Sequence, residues 1–231
     1  MSIHCQLLIL ILVLTLDDQV HTGEIIGGRE AVPHSRPYMV LLERSMQDGE
    51  TRHCGGFLLN EDFVMTAAHC QASSYTVVLG VHNFRNSNEL QRISVEQAFP
   101  HKEYNETDFN NDIMLLKLSA KAKLSKNVQP IALAGRGDGS PKSCIVSGWG
   151  RTDENIPYMS VVLMEVNVTL IESKQCPTNN MYCSKGVTGP GKGDSGGPLV
   201  CEDGKAYGVV SHDFRSESGG PVIHCFAKIP D

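Results

Sequence analysis

The chain has 231 residues, of which 41% are hydrophobic and 20% are charged, and its formal net charge is -6. This length suits one large domain or two small ones, and the composition excludes a disordered or fibrous protein. The acidic balance and the lack of a basic stripe argue against a nucleic-acid partner.

The N-terminal segment has the pattern of a secretory signal peptide. Residues 7–16 form an apolar run that is too short to cross a bilayer, and Asp17 and Asp18 follow it at once. A buried strand or helix explains such a run less well at the extreme N-terminus. We therefore expect secretion, and we expect no membrane partner because no later stretch of sequence can span a bilayer.

The cysteine count fits an oxidising compartment, in which secreted chains form disulfides. Cys5 leaves with the signal peptide, and the seven cysteines that remain are an odd number. At least one of them is therefore free or bonded to another chain. Two Asn-X-Thr sequons, at Asn105 and Asn167, are candidate N-glycosylation sites.

Short strand-like runs fill the rest of the chain, and turn residues separate them at irregular spacing. The runs span residues 39–42, 57–59, 63–66, 75–79, 113–118, 144–147, 161–170, 198–201 and 206–210. This pattern predicts an all-β sandwich or a pair of barrels. The Lys-rich and then Gly-rich segment 120–140 is the best candidate for the crossing between two halves.

The sharpest chemical signal is the run GDSGG at residues 193–197. Glycines on both sides of Ser195 permit backbone turns that other residues cannot make, and they let a substrate carbonyl approach backbone N–H groups closely. A serine is a poor nucleophile at neutral pH and needs a base. In isolation, the run would fit a polar surface turn equally well.

Two further motifs supply the groups that such a serine needs. His69 lies in TAAHC, residues 66–70, where small neighbours let the imidazole sit close to another group. Asp112 opens the apolar run 113–118, and a carboxylate buried there is costly unless its charge is used. It can accept a hydrogen bond from an imidazole N–H and so fix the tautomer of the ring.

The motifs TAAHC, NDIMLL (residues 111–116) and GDSGGPL (residues 193–199), in this order, resemble the chymotrypsin-like serine proteases. The resemblance runs from Ile25 to the last residue. It implies an all-β fold of two packed six-stranded Greek-key barrels, with the active site in the cleft between them. The start of the mature chain, IIGGREA at residues 25–31, looks like that of granzymes and mast-cell chymases.

The resemblance implies a catalytic role for each motif. Ser195 is the nucleophile, His69 is its general base, and Asp112 orients His69. The N–H groups of Gly193 and Ser195 form the oxyanion hole.

Activation is also implied by the likeness to granzymes and chymases. The signal peptide then occupies residues 1–22, and a dipeptidyl peptidase removes the dipeptide 23–24, which ends in Glu24. The protease domain is residues 25–231. The new α-ammonium of Ile25 binds Asp194 and thereby orders the oxyanion loop.

The resemblance assigns seven residues to the substrate pocket: Gly189, Pro190, Lys192, Ser211, His212, Asp213 and His224. Among them, Ser211 also matches the serine that supports the triad aspartate. Gly189 carries no charge, so the usual carboxylate for Lys or Arg substrates is missing. Asp213 replaces a glycine and either narrows the entrance or offers a new carboxylate. His224 lies near the position where granzyme B carries an arginine for acidic substrates. Aromatic or leucine, acidic and basic preferences all stay open.

The family's disulfides correspond to Cys54–Cys70, Cys144–Cys201 and Cys176–Cys183, which leaves Cys225 as an expected buried free thiol. We expect no cofactor and no metal, since calcium-loop acids and zinc-ligand spacing are lacking. Family members continue into a C-terminal helix, which we expect to be missing from this chain.

The resemblance implies protein or peptide substrates, an activating dipeptidyl peptidase and serpin-type inhibitors as partners of a monomer. It also implies storage in leukocyte secretory granules. An alternative is a catalytically weak protease-like binding protein, which the altered pocket and missing helix would suit. The presence of every triad residue favours the protease.

Overall fold

The computed structural model describes residues 25–85, 90–153, 157–215 and 220–230. The predicted signal peptide, the dipeptide 23–24 with Glu24, and the terminal Asp231 lie outside the described residues.

Regular structure in these ranges is almost entirely β, which confirms the predicted fold class. Two three-residue 3-10 turns, Ala68–Cys70 and Ser173–Gln175, are the helical elements of the described residues. The described helices are all too short to cross a bilayer. The strands are β1 Arg29–Glu30, β2 Met39–Ser45, β3 Thr51–Leu58, β4 Phe63–Thr66, β5 Ser74–Leu79, β6 Gln91–Pro100, β7 Met114–Leu118, β8 Ser143–Gly148, β9 Met164–Thr169, β10 Met181–Lys185, β11 Pro198–Cys201, β12 Ala206–Phe214 and β13 Ile223–Lys228.

The first half of the chain is a closed six-stranded barrel. Its strand order is β2-β3-β4-β7-β6-β5, and β5 returns to pair with β2, which is the Greek-key arrangement. The apolar residues of these strands point inward, and Leu42, Phe57 and Leu116 are fully buried. Closure leaves no free strand edge in this half.

The second half is a seven-stranded sheet with the order β1-β9-β8-β11-β12-β13-β10. The six strands from β8 to β13 have β9 and β10 as their outer strands. An isolated bridge between Leu170, just after β9, and Ser184 of β10 brings these two outer strands together. These six strands therefore curl into a second barrel-like unit, and β1 is added at its edge. Val146, Leu199 and Phe226 are fully buried in its core.

The two halves share apolar contacts that define the cleft between them. Ala206, Val209 and Ala227 of the second half belong to the same core cluster as the interior of the first barrel. Between the halves, β7 ends at Leu118 and β8 begins at Ser143.

The described ranges contain three disulfides, and they join the partners that the family resemblance implies: Cys54–Cys70, Cys144–Cys201 and Cys176–Cys183. Cys225 on β13 is a free thiol, and it is buried beside the third disulfide, opposite Cys183 in the strand register.

Candidate active site

His69 and Asp112 reach each other across the first barrel. His69 lies in the 3-10 turn that follows β4, and the disulfide of Cys70 to Cys54 fixes this turn to β3. Asp112 stands just before β7, which pairs with β4. Its Oδ2 atom lies 2.7 Å from Nδ1 of His69, and its Oδ1 atom accepts the backbone N–H of His69 at 2.8 Å.

Asp112 is completely buried and keeps its charge through hydrogen bonds. The hydroxyl of Ser211, on β12, donates to Oδ2 at 2.6 Å. Burial by itself raises the pKa of Asp112, but the hydrogen bonds and charge of His69, with the bond from Ser211, outweigh burial and hold this pKa below its ordinary value. An ionised Asp112 can hold the His69 ring with its proton on Nδ1 and its free lone pair on Nε2.

Ser195 lies between β10 and β11, in a loop that is fastened to the first barrel. Its carbonyl accepts the N–H of Gly55, on β3, at 2.7 Å. The next residue, Gly196, has φ of +87°, and a Cβ atom there would overlap the Thr66 hydroxyl of β4. This close approach explains why a glycine follows Ser195.

Backbone N–H groups near Ser195 are free to bind a ligand. Gly193 has φ of +105°, a conformation that glycine adopts readily. In the described part of the chain, the N–H groups of Gly193 and Ser195 donate to no protein acceptor. Unpaired N–H donors are rare in folded proteins unless they face solvent or a ligand.

Asp194 points away from the surface into the second half. It is fully buried, and its carboxylate accepts the N–H groups of Gly150 and Gly191, each at 2.7 Å. Burial raises the pKa of Asp194 to about 6, against a lowering effect of these two hydrogen bonds. No described cation forms an ion pair with this carboxylate. Ile25 is also fully buried, in the core of the second half.

His224 lies against Gly189, at what we predict to be the floor of the substrate pocket. It is only 2% exposed, and its ring lies so close to Gly189 that a Cβ atom at this glycine would overlap the ring. Its Nδ1 atom lies 2.7 Å from the Asp213 carboxylate, whereas its buried Nε2 atom has no hydrogen-bond partner among the described residues. Pro190 is buried beside Gly189.

A cavity of about 330 Å³ opens beside this floor. Lys192 and Asp213, two of the predicted pocket residues, form part of its wall. Among the described residues, the lining consists of Ile26, Arg151, Asp153, Gly191, Lys192, Asp213 and Arg215. Acidic and basic groups therefore both surround the entrance.

The other two predicted pocket residues, Ser211 and His212, form a hydrogen-bonded link that reaches Asp112. Ser211 donates to Asp112, and Nδ1 of His212 lies 3.0 Å from the Ser211 hydroxyl. The ring of His212 stacks on Phe109, with 4.5 Å between ring centroids. Sequence reasoning did not identify Phe109, which also meets the His69 ring edge-on. No motif in the sequence marks this residue, because its placement depends on its backbone conformation.

Two remaining groups complete the predicted sites. The sulfur atoms of Cys54 and Cys70 lie within 4.8 Å of a His69 nitrogen, but they are joined in a disulfide and so offer no thiolate to a metal.

The side chains of Asn105 and Asn167 are both exposed, as a glycan would require.

Comparison with known proteins agrees with this geometry. The model of the family described as Trypsin matches residues 25–230. Granzyme B(G,H) of Mus musculus is 42% identical over 97% of this chain and 94% of its own length. Chymase of Mus musculus is 41% identical over 89% of this chain and 87% of its own length. A solved structure described as "Structure of GrC" superposes with a TM-score of 0.78 and 38% identity, covering 89% of this chain and 94% of its own.

The family match spans nearly all of the described residues, and identity above 40% extends over most of the chain. The likeness to granzymes and chymase fits a barrel pair with His69, Asp112 and Ser195 at the cleft. The chain therefore belongs to the trypsin family of chymotrypsin-like serine proteases and is a peptide hydrolase.

Proposed function

We propose that this chain is a secreted endopeptidase of granzyme or chymase type, made as an inactive precursor, which cleaves peptide bonds through an acyl-enzyme on Ser195. The observation that carries the proposal is the pair of hydrogen bonds from His69 to the buried Asp112 carboxylate, one from its ring and one from its backbone N–H. The bond from the ring keeps the Nε2 lone pair available as a base.

The proposed reaction uses the groups of the cleft in two stages. Ser195 Oγ attacks the scissile carbonyl carbon while its proton passes to Nε2 of His69. The N–H groups of Gly193 and Ser195 bind the oxygen that becomes negative, and the loss of one such donor typically costs about 2.7–4 kcal/mol. His69 then protonates the leaving amine, and a water molecule releases the acyl group by the same steps in reverse.

The buried Asp194 supports activation by cleavage before Ile25. In the uncleaved chain its carboxylate is held by two backbone N–H groups, without a described cation beside it. Removal of the dipeptide 23–24 creates an α-ammonium on the buried Ile25, and this charge is the natural partner of Asp194. The ion pair then stabilises the Gly191–Asp194 turn, which carries Gly193.

The floor of the pocket supports a preference for short side chains. The His224 ring fills the space above Gly189 that a long side chain of a substrate would otherwise enter. Lys, Arg and Trp therefore fit poorly before the cut. Asp213 holds the ring in place from the neighbouring strand.

The test is expression of the chain from Ile25, with Ser195→Ala as the control. Both proteins are incubated with a peptide library varied at the residue before the cut and with a fluorophosphonate that labels active serines. We expect cleavage and labelling of the first protein only. A folded Ile25-start protein that neither cleaves nor labels would refute the proposal and favour the protease-like binding protein.

A further inference from the structure

The side chains of Ser211 and His212 lie on the same side of β12, although they are consecutive residues of a strand. Consecutive side chains of a regular strand point to opposite faces of the sheet. Here the register between β12 and β13 shifts between Val210 and His212, so that Ser211 is an extra residue without a partner. Such a bulge re-aims side chains, and this one brings both residues to the Asp112 side.

The hydrogen bonds of Ser211 fix the proton of His212. A hydroxyl has one proton, and Ser211 gives it to Oδ2 of Asp112, because an ionised carboxylate can only accept. The contact of 3.0 Å between Ser211 Oγ and Nδ1 of His212 is then a bond in which His212 donates. A continuous chain of hydrogen bonds results, from His212 through Ser211 to Asp112, which also accepts from His69.

Phe109 provides a second link between the two histidines. Its ring stacks on His212 with an interplanar angle of 23°, and it meets the His69 ring edge-on at 5.8 Å between centroids. Phe109 has φ of +55°, an unfavourable conformation for a residue with a Cβ atom. The local fold therefore holds this ring between the two imidazoles at an energetic cost.

We propose that His212 is a positioning residue of the catalytic site, which orients Asp112 through Ser211 and constrains His69 through Phe109. The proposal rests on the proposed function, because it assigns His212 a part in the proton transfer made by His69.

The charged groups around His212 influence its pKa, which sets the pH at which its second ring nitrogen becomes protonated. Asp112 and His69 face it from the first half, Asp213 follows it on β12, and the thiol of Cys225 lies opposite on β13. Burial lowers the pKa of His212, while Asp112 and Asp213 act in the opposite direction. His212 is therefore a neutral donor at neutral pH. Its protonation in acid adds a positive charge that opposes imidazolium formation at His69.

Two substitutions separate the hydrogen bond from the ring stack. His212→Phe keeps a ring on Phe109 but removes the donor, whereas His212→Asn keeps a donor near the Nδ1 position and removes the ring. We expect kcat of His212→Phe to fall roughly three- to tenfold, which corresponds to the net free energy of one hydrogen bond. We expect KM to change less than twofold. We expect His212→Asn to retain more of kcat than His212→Phe does.

The split between kcat and KM, together with partial rescue by His212→Asn, distinguishes this role from a purely structural one. If the unsubstituted enzyme cleaves peptides and His212→Phe matches it in kcat, the proposal is wrong and the proposed function stands.

A measurement that needs no activity tests the proton position directly. In Ser195→Ala protein labelled with ¹⁵N-histidine, the ring nitrogen shifts at pH 8 should show His212 protonated on Nδ1. Protonation on Nε2 instead would overturn the proposal. An unsubstituted enzyme that folds but neither cleaves nor labels refutes the proposed function, and with it any part for His212 in catalysis.

Discussion

The carboxylate of Asp213 lies 2.7 Å from Nδ1 of His224, and the two residues are register partners on β12 and β13. His224 is 3% exposed as a side chain, whereas Asp213 is 47% exposed. The pair therefore joins a charged group at the entrance of the pocket to a ring on its floor. Neither residue can be replaced without changing how the other is held.

Replacement of the floor should deepen the pocket. We expect His224→Ala to raise kcat/KM for peptides with Leu or Phe before the cut, relative to Ala, by about tenfold or more, because the vacated volume admits larger apolar groups. Asp213→Asn is the matched control, since it alters the bond that holds the His224 ring but retains the ring itself. An unchanged ranking of Ala, Leu and Phe peptides in His224→Ala would show that the ring does not limit the pocket.

The contact between Gly189 and His224 should be visible as energetic coupling. A Cβ atom at residue 189 overlaps the His224 ring, so Gly189→Ala should lower the free energy of unfolding by about 1–3 kcal/mol through overpacking. In a His224→Ala background the same change should cost little, because the ring is gone. Urea unfolding of the two single variants and the double variant measures the difference, and strictly additive effects would contradict the contact.

The precursor should lose stability as its buried Asp194 ionises. Burial raises the pKa of Asp194 to about 6 from 3.8, so between about pH 4 and pH 6 the folded chain holds a proton that the unfolded chain releases. The free energy of unfolding therefore falls as pH rises through this window, by on the order of 3 kcal/mol. Urea unfolding of the Ser195→Ala precursor at pH 4 to 7 checks this.

Asp194→Asn in the same precursor is the control, because an amide does not titrate. The difference in stability between the two proteins should grow across the window and level off above it. After removal of the dipeptide 23–24, the α-ammonium of Ile25 should favour the ionised carboxylate and abolish the fall. A pH dependence identical in both precursors would count against an unpaired Asp194.

The thiol of Cys225 should be inert in the folded protein. Burial, together with the nearby Asp213, raises the pKa of Cys225 to about 12, and the thiolate is the form that reacts. We expect no modification by iodoacetamide at pH 8 in native protein and one modified residue after unfolding without reductant. Cys225→Ala should show none in either state, and rapid labelling of the native protein would contradict this environment.

The sequence marks the three proposed catalytic residues because each lies in a local motif beside a strand. In the structure His69 bonds to Asp112, and the Ser195 carbonyl accepts the N–H of Gly55 on β3. Strand β6 was not predicted, since its residues 91–100 alternate between exposed and half-buried positions and contain no apolar run. Strands β10 and β13 were also missed.

Contacts that depend on strand register and backbone conformation could not be read from the sequence. The bulge at Ser211 and the positive φ of Phe109 bring His212 and Phe109 into contact beside His69, and no motif marks this contact. The Asp213–His224 pair likewise depends on how β12 aligns with β13. Sequence alone offered the two residues as competing determinants of substrate preference, whereas the structure makes them one unit.

The hydrogen bond between the Ser195 carbonyl and the Gly55 N–H crosses from one half of the molecule to the other. His69 and Asp112 are supplied by the first half and Ser195 by the second, so neither half contains a complete set of reacting groups. A chain in which only one half has formed therefore cannot carry out the proposed reaction. Packing of the two halves is a requirement for activity that is separate from removal of the dipeptide 23–24.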